Sequence, residues 1–121
     1  MNNKGNRRIF DRIEDIRTAA ANIRSDVGSL DKDAFLNDGR TQRAVIATLI
    51  VIGEAAARIL QTVIELESAQ PDAWQRLLDA NGMRNILAHE YFRIDPAVVW
   101  DTIHNDLQPL ESSLDLLAAA H

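Results

Sequence analysis

"AVIATLIVIGEAAARIL", residues 44–60, decides the fold of this chain. Glu54 is the only charge between Arg43 and Arg58, and the residues around it are apolar on nearly every face of a helix. Nothing in the stretch alternates with the period of a half-buried strand, and its length suits a helix. The spacing predicts one long helix from about Arg40 to about Glu67. A helix that is hydrophobic all round must be covered all round. A few neighbouring helices in a small domain are not expected to cover it fully, so part of it is expected in or near a homodimer interface.

Outward from this helix the chain reads as helix throughout. On the N-terminal side, Ile9, Ile13, Ile16, Ala20 and Ile23 recur at three- and four-residue spacing, one apolar stripe of an amphipathic helix that stops at Gly28. Asp31 is an N-cap for "KDAFLN", a short helix ending near Gly39. On the C-terminal side, Pro71 and Asp72 open another helix, where both fit the first turn. Asn81-Gly82 is expected to end it. "MRNILAHEYFRI" is then a short separate helix, and Asp95-Pro96 opens the last one, which Pro109 should kink or break by removing a backbone donor. No strand pattern, internal repeat, low-complexity tract or linker is visible. The expected architecture is an all-α bundle of four to five helices, one domain over residues 1–121.

Composition narrows the functional classes. With 46% apolar and 26% charged residues in a 121-residue chain, the protein reads as globular. There is no cysteine, so disulfide and thiolate chemistry are excluded and a cytoplasmic location is expected. The N-terminal "MNNKGNRRIF" carries no apolar segment of a signal peptide, and the uncharged run Ala44 to Gly53 is too short to span a bilayer, so no membrane role is expected. A formal net charge of −5 argues against non-specific coating of nucleic acid, but leaves room for a small local basic site.

The chemistry-bearing stretch is "GMRNILAHEYF", residues 82–92. With about 100° per residue, Met83, Ile86 and Leu87 fall on one side of a helix and Arg84, Asn85, Ala88 and His89 spread over the other. Asn85 and His89 stand at i and i+4, so the amide is expected to orient the imidazole. Glu90 would enter the apolar side if the helix continued, so the helix should end near His89 or Glu90. Read structurally, His89 is favoured near a helix C-terminus by the dipole and Arg84 is a common surface residue; read chemically, an Arg and a His without a metal suit cleavage of an RNA phosphodiester. Neutral His takes the 2′-hydroxyl proton, protonated His gives one to the leaving oxygen, and Arg holds the phosphate and stabilises the transition state. One His cannot easily do both transfers, and two copies facing each other would supply two. Metal and Ser-His-Asp sites do not fit. His104 and His121 are distant in sequence, and no H-E-x-x-H pattern occurs.

These residues resemble the HEPN-domain toxins of the HepT type, the toxin half of HepT–MntA toxin–antitoxin pairs. "RNILAHEY" (84–91) is similar to the R-x4-H-x-Y motif, "LNDGRTQRAVIATLIVIGEAA" (36–56) to the family's second helix with its I-G-E-A, and "VVWDTIHNDLQPL" (98–110) to its final helix. The resemblance implies a dimeric all-α HEPN fold and a metal-independent ribonuclease needing no cofactor, with Arg84 and His89 catalytic. It also implies a partner, a minimal nucleotidyltransferase antitoxin that transfers AMP from ATP to the motif tyrosine, Tyr91. AMP on Tyr91 would place bulk and negative charge where the RNA phosphate binds. Asn85 is assigned an orienting role. Glu54 either lines the site and orients Arg84, or pairs with Arg58 on a solvated stripe of Arg43, Ala47, Glu54, Arg58 and Gln61. Tyr91 has a structural alternative, a hydroxyl capping a backbone group, and Phe92, Trp74 and Trp100 are expected in the core or an interface rather than as stacking platforms for bases. Arg40, Arg43, Arg58 and Arg93 are candidates for a basic substrate path. The alternative to a ribonuclease toxin is a non-catalytic HEPN module that binds nucleotide or docks a nucleotidyltransferase.

Overall fold

A computed structural model describes residues 3–121, with side chains from Arg8 onward. Seven α-helices follow in order: α1 (Asn3–Val27), α2 (Lys32–Leu36), α3 (Gly39–Thr62), α4 (Leu66–Ala69), α5 (Pro71–His89), α6 (Pro96–Asn105) and α7 (Leu107–Ala120). A 3-10 turn, Tyr91–Arg93, joins α5 to α6. Among the described residues there is no strand. Five of these helices are long enough to carry a bundle, and α2 and α4 are single-turn or near single-turn connectors.

The helix ends follow local chemistry. Gly28 takes φ +55°, a left-handed conformation that ends α1 at little cost for glycine. Asp31 caps α2 by accepting from the Ala34 amide at 2.8 Å. Asp38 caps α3, accepting from the Thr41 amide at 3.0 Å and the Thr41 hydroxyl at 2.7 Å, and these bonds hold its carboxyl below the usual carboxylate range. Asp95 accepts from the Ala97 amide and Pro96 opens α6. The last helical segment breaks at Asp106, between α6 and α7. Pro109 lies three residues on; having no N–H, it cannot bond to the Asn105 carbonyl.

Helix α3 is the central element, with α1 on one side and α5 on the other. It ends at Thr62 rather than near Glu67, because the Val63 backbone leaves the helical region. Val45, Ile46, Leu49, Ile52, Ala55, Ala56 and Ile59 face the core. By length and composition alone α3 is long and apolar enough to cross a membrane; in this fold its apolar faces are shared out among neighbouring helices. The anticipated solvated stripe is present: Arg43, Ala47, Glu54, Arg58 and Gln61 are all exposed, joined by Val51. Gly53 and the alanines let the flanking helices come close to α3, while Ala47 and Val51 remain exposed.

α1 contributes Ile9, Ile13, Ile16, Ala20 and Ile23 to the core, all at the positions its apolar stripe requires. α7 closes the bundle against α1 and α5. Two ion pairs tie its outer side to α1, Arg17 to Asp115 and Arg24 to Glu111. Exposed pairs of this kind contribute little stability, and the register comes from Leu110, Leu114 and Leu117 beneath them. Trp100 packs on Phe35 with ring centroids 5.4 Å apart, which locks α6 onto α2.

One expected boundary is absent. Helix α5 runs unbroken through Asn81 and Gly82 to His89. A glycine inside a helix costs only about 1 kcal/mol relative to alanine. Ala73, Leu77 and Leu87, buried along a single face, outweigh that cost.

Candidate active site

Continuity of α5 changes which way its side chains point. Its core-facing side is set by Ala73, Leu77, Ala80 and Leu87, and Arg84 falls on that same side, half-buried. The expected wheel placed Arg84 opposite the apolar residues and Ile86 among them. In the fold Ile86 is instead 49% exposed, Met83 is half-buried, and only Leu87 is fully buried. Taken as an isolated short helix, residues 83–90 centre their apolar side about one residue position away from where α3 sits.

Gly53 of α3 accounts for the position of Arg84. A Cβ on residue 53 would lie 2.8 Å from the Ala80 carbonyl oxygen and 2.8 Å from the Arg84 Cγ, and closer still to the Arg84 Cβ. Here α5 lies directly on the α3 backbone, and Arg84 crosses the gap that the missing side chain leaves. Its guanidinium emerges in a polar cleft of about 530 Å³ lined by Arg12 and Asp15 of α1 and by Glu54, Arg58 and Gln61 of α3. Asn81, one turn back, accepts from Arg84 Nη2 at 2.7 Å. Arg84 Nε is buried without a hydrogen-bond partner. Among the described residues Arg84 makes no ion pair, so its charge is not neutralised by a carboxylate.

Glu54 lines the same cleft. Among the described residues it forms no ion pair with Arg58 and no hydrogen bond to Arg84, so neither of its two expected contacts is made in this state. Of the four arginines considered for a basic path, Arg58 alone lines the cleft, and Arg12 of α1 joins it. Arg12 carried no sequence signal, because only the packing of α1 on α3 brings it near. Asn81, which beside Gly82 has the local chemistry of a helix breaker, is in the fold a partner of Arg84.

His89 is the last residue of α5 and is exposed. Its Nδ1 lies 2.7 Å from the main-chain carbonyl of Asn85. A carbonyl only accepts, so Nδ1 carries the proton in the neutral ring and Nε2 presents its lone pair outward. The orienting group is therefore the backbone of Asn85 and not its amide side chain, which is exposed. His89 does not line the cleft that holds Arg84. Arg84 leans back toward the α5 N-terminus, as long helical side chains do, while His89 stands at the opposite end.

Tyr91, 38% exposed, begins the 3-10 turn beyond His89, and no hydrogen bond from its hydroxyl occurs among the described residues. Phe92 is 97% exposed, so it does not belong to the core; Trp74 and Trp100 are half-buried and pack against it. Among the described residues no group of three or more His, Asp or Glu side chains is placed to hold a metal ion.

An all-α bundle with an Arg and a His five residues apart at the end of one helix, packed on an I-G-E-A helix, defines a protein of the HEPN class. Residues 13–117 match the family described as "Ribonuclease HepT-like", and the chain belongs to that family. It is similar to a "Probable ribonuclease HepT" of Thermococcus cleftensis, 34% identical over 107 residues that span 88% of this chain and 93% of that one. It is also similar to a "Putative RNase" of Methanocaldococcus jannaschii, 29% identical over 87% of this chain and 92% of the relative. No solved structure matches the chain.

Proposed function

We propose that this protein is the ribonuclease toxin of a cytoplasmic toxin–antitoxin pair, and that it cleaves RNA without a metal at a site shared by two copies. The observation that carries the shared site is the separation of Arg84 from His89. One copy directs its guanidinium into the cleft between α1 and α3 and its imidazole outward from the end of α5. A second copy seated over this region brings its own His89 toward the first copy's Arg84.

In the reaction, Nε2 of one His89 removes the proton of the 2′-hydroxyl. The 2′-oxygen bonds to phosphorus, and the bond from phosphorus to the 5′-oxygen breaks. A protonated His89 gives its proton to that leaving oxygen. Arg84 binds the non-bridging oxygens and stabilises the charge that builds on them. Asn81 keeps the guanidinium from swinging away, and Asn81→Ala is expected to lower kcat about tenfold, the scale of one charge-assisted hydrogen bond, with folding intact. The overall reaction is tested with purified protein in EDTA. Fragments ending in a 2′,3′-cyclic phosphate support it, and fragments ending in a 3′-hydroxyl count against it.

Control by an antitoxin falls on Tyr91. A nucleotidyltransferase partner joins the Tyr91 oxygen to the α-phosphorus of ATP and releases pyrophosphate. The exposed ring next to His89 suits such an acceptor. Co-expression with the partner should add one or more AMP units to the intact mass, and Tyr91→Phe should remove the gain while keeping much of the toxicity. An unchanged mass in the unsubstituted protein counts against this switch.

A second reading has one observation in its favour. The cleft gathers Arg12, Arg58 and Arg84 with Asp15 and Glu54 and without His89, a net positive lining that suits a nucleotide phosphate as well as RNA. On that reading the protein is a non-catalytic module docking the nucleotidyltransferase, and loss of His89 leaves its cellular effect intact.

A further inference from the structure

Phe92 is almost wholly outside the fold, at 97% exposure, although phenylalanine is among the residue types most often buried. It is the middle residue of the turn Tyr91–Arg93, three positions beyond His89. That turn is held at both ends. The Glu90 amide donates to the Ile86 carbonyl at 2.9 Å and the Arg93 amide to the Glu90 carbonyl at 2.8 Å. Leu87 before the turn is fully buried, and Ile94 after it packs against the core. The Tyr91 ring stands edge-to-face with Phe92, centroids 5.3 Å apart at 85°. Glu90 and Arg93 flank the two rings and are exposed. Phe92 thus presents an aromatic ring on a hydrogen-bonded turn, beside Tyr91 and flanked by the exposed charges of Glu90 and Arg93.

We propose that Phe92 is the stacking platform for an unpaired base of the RNA, beside the phosphodiester cleaved at His89. The proposal rests on the ribonuclease reading. Every base has a π-face, and a ring on a rigid turn stacks on it with little ordering entropy to lose. Arg93, next in the turn, supplies a cation for an adjoining phosphate. Bases inside a duplex are already stacked on their neighbours, so the platform selects single strands, loops and bulges.

The test uses the full chain carrying His89→Ala, so that RNA survives the measurement. Binding of a fluorescein-labelled single-stranded RNA of mixed sequence, and of its duplex, is followed by anisotropy. Adding Phe92→Ala should weaken single-strand binding about tenfold or more. Phe92→Trp should retain tight binding. Phe92→Leu, apolar but without a π-face, should not. Duplex binding should barely change, and every variant should keep its unfolding temperature and its mass by light scattering. Equal binding by the Phe92→Ala protein, or full retention by Phe92→Leu, overturns the proposal. So does a change of oligomeric state in Phe92→Ala, which assigns the ring to a protein contact. Failure to bind single-stranded RNA with Phe92 intact overturns it as well. Failure of the ribonuclease reading appears separately, as no His89-dependent cleavage, and the anisotropy comparison does not depend on cleavage.

Discussion

Replacing His89 by alanine is expected to lower RNA cleavage by about two to four orders of magnitude, the usual worth of a positioned general acid or base, and to abolish growth arrest on expression. The fold is unaffected, because the side chain is exposed and its one hydrogen bond goes to a carbonyl of its own helix. Arg84→Ala should give a comparable loss of cleavage, through the missing charge proposed to meet the phosphate. It differs in stability, since the Arg84 stem fills the groove over Gly53 and its removal also costs packing. Arg84→Lys separates the two effects. It keeps the stem and the charge but not the fork of donors, so the protein should fold normally and still cleave poorly. Growth arrest that survives both His89→Ala and Arg84→Ala would sink the ribonuclease mechanism and leave the docking module as the better account.

Gly53→Ala is expected to be destabilising by about 1–3 kcal/mol, the range for overpacking a tight contact. At about 4 °C per kcal/mol for a chain of this size, the unfolding temperature drops by several degrees or more. The physical reason lies in what the new methyl meets. The Ala80 carbonyl, 2.8 Å away, is helix backbone and cannot rotate aside, and the base of the Arg84 side chain is nearer still. Relief requires α5 to lift off α3, which carries Arg84 out of its place in the cleft, so activity should fall along with stability. Gly82→Ala in the same helix is the control. Nothing lies within 4 Å of a Cβ there, so the change should be neutral or stabilising by about 0.5–1 kcal/mol. Thermal unfolding of the two variants side by side decides the matter. Equal unfolding temperatures would mean that the helices do not meet as closely as described.

The contrast between these two glycines explains which parts of the molecule could be read in advance. In the sequence, Gly82 after Asn81 looks like a stop and Gly53 is a lone glycine in an apolar run. In the fold Gly82 is an exposed helix position with open space around it, while Gly53 is where α5 and Arg84 lie directly on α3. A glycine's role depends on what lies opposite it, and for Gly53 that is Ala80 and Arg84, about thirty positions further along the chain. Capping residues behave differently. Asp31, Pro71 and Asp95-Pro96 act within one turn, and each opens the helix its chemistry predicts.

The amino-acid sequence by itself determined the all-α class, the apolar stripe of α1, the solvated stripe of α3, and the resemblance that the family match bears out, because each depends on local spacing and short-range backbone bonds. It also supplied the identities of Arg84, His89 and Tyr91. Tertiary structure alone decided that Arg84 turns inward over Gly53 into a cleft with Arg12 and Arg58, a cleft that His89 does not line. The reason is energetic. Burying Ala73, Leu77 and Leu87 against neighbouring helices outweighs the small helix-breaking preference of Gly82, and that choice rotates every functional side chain on α5 into place.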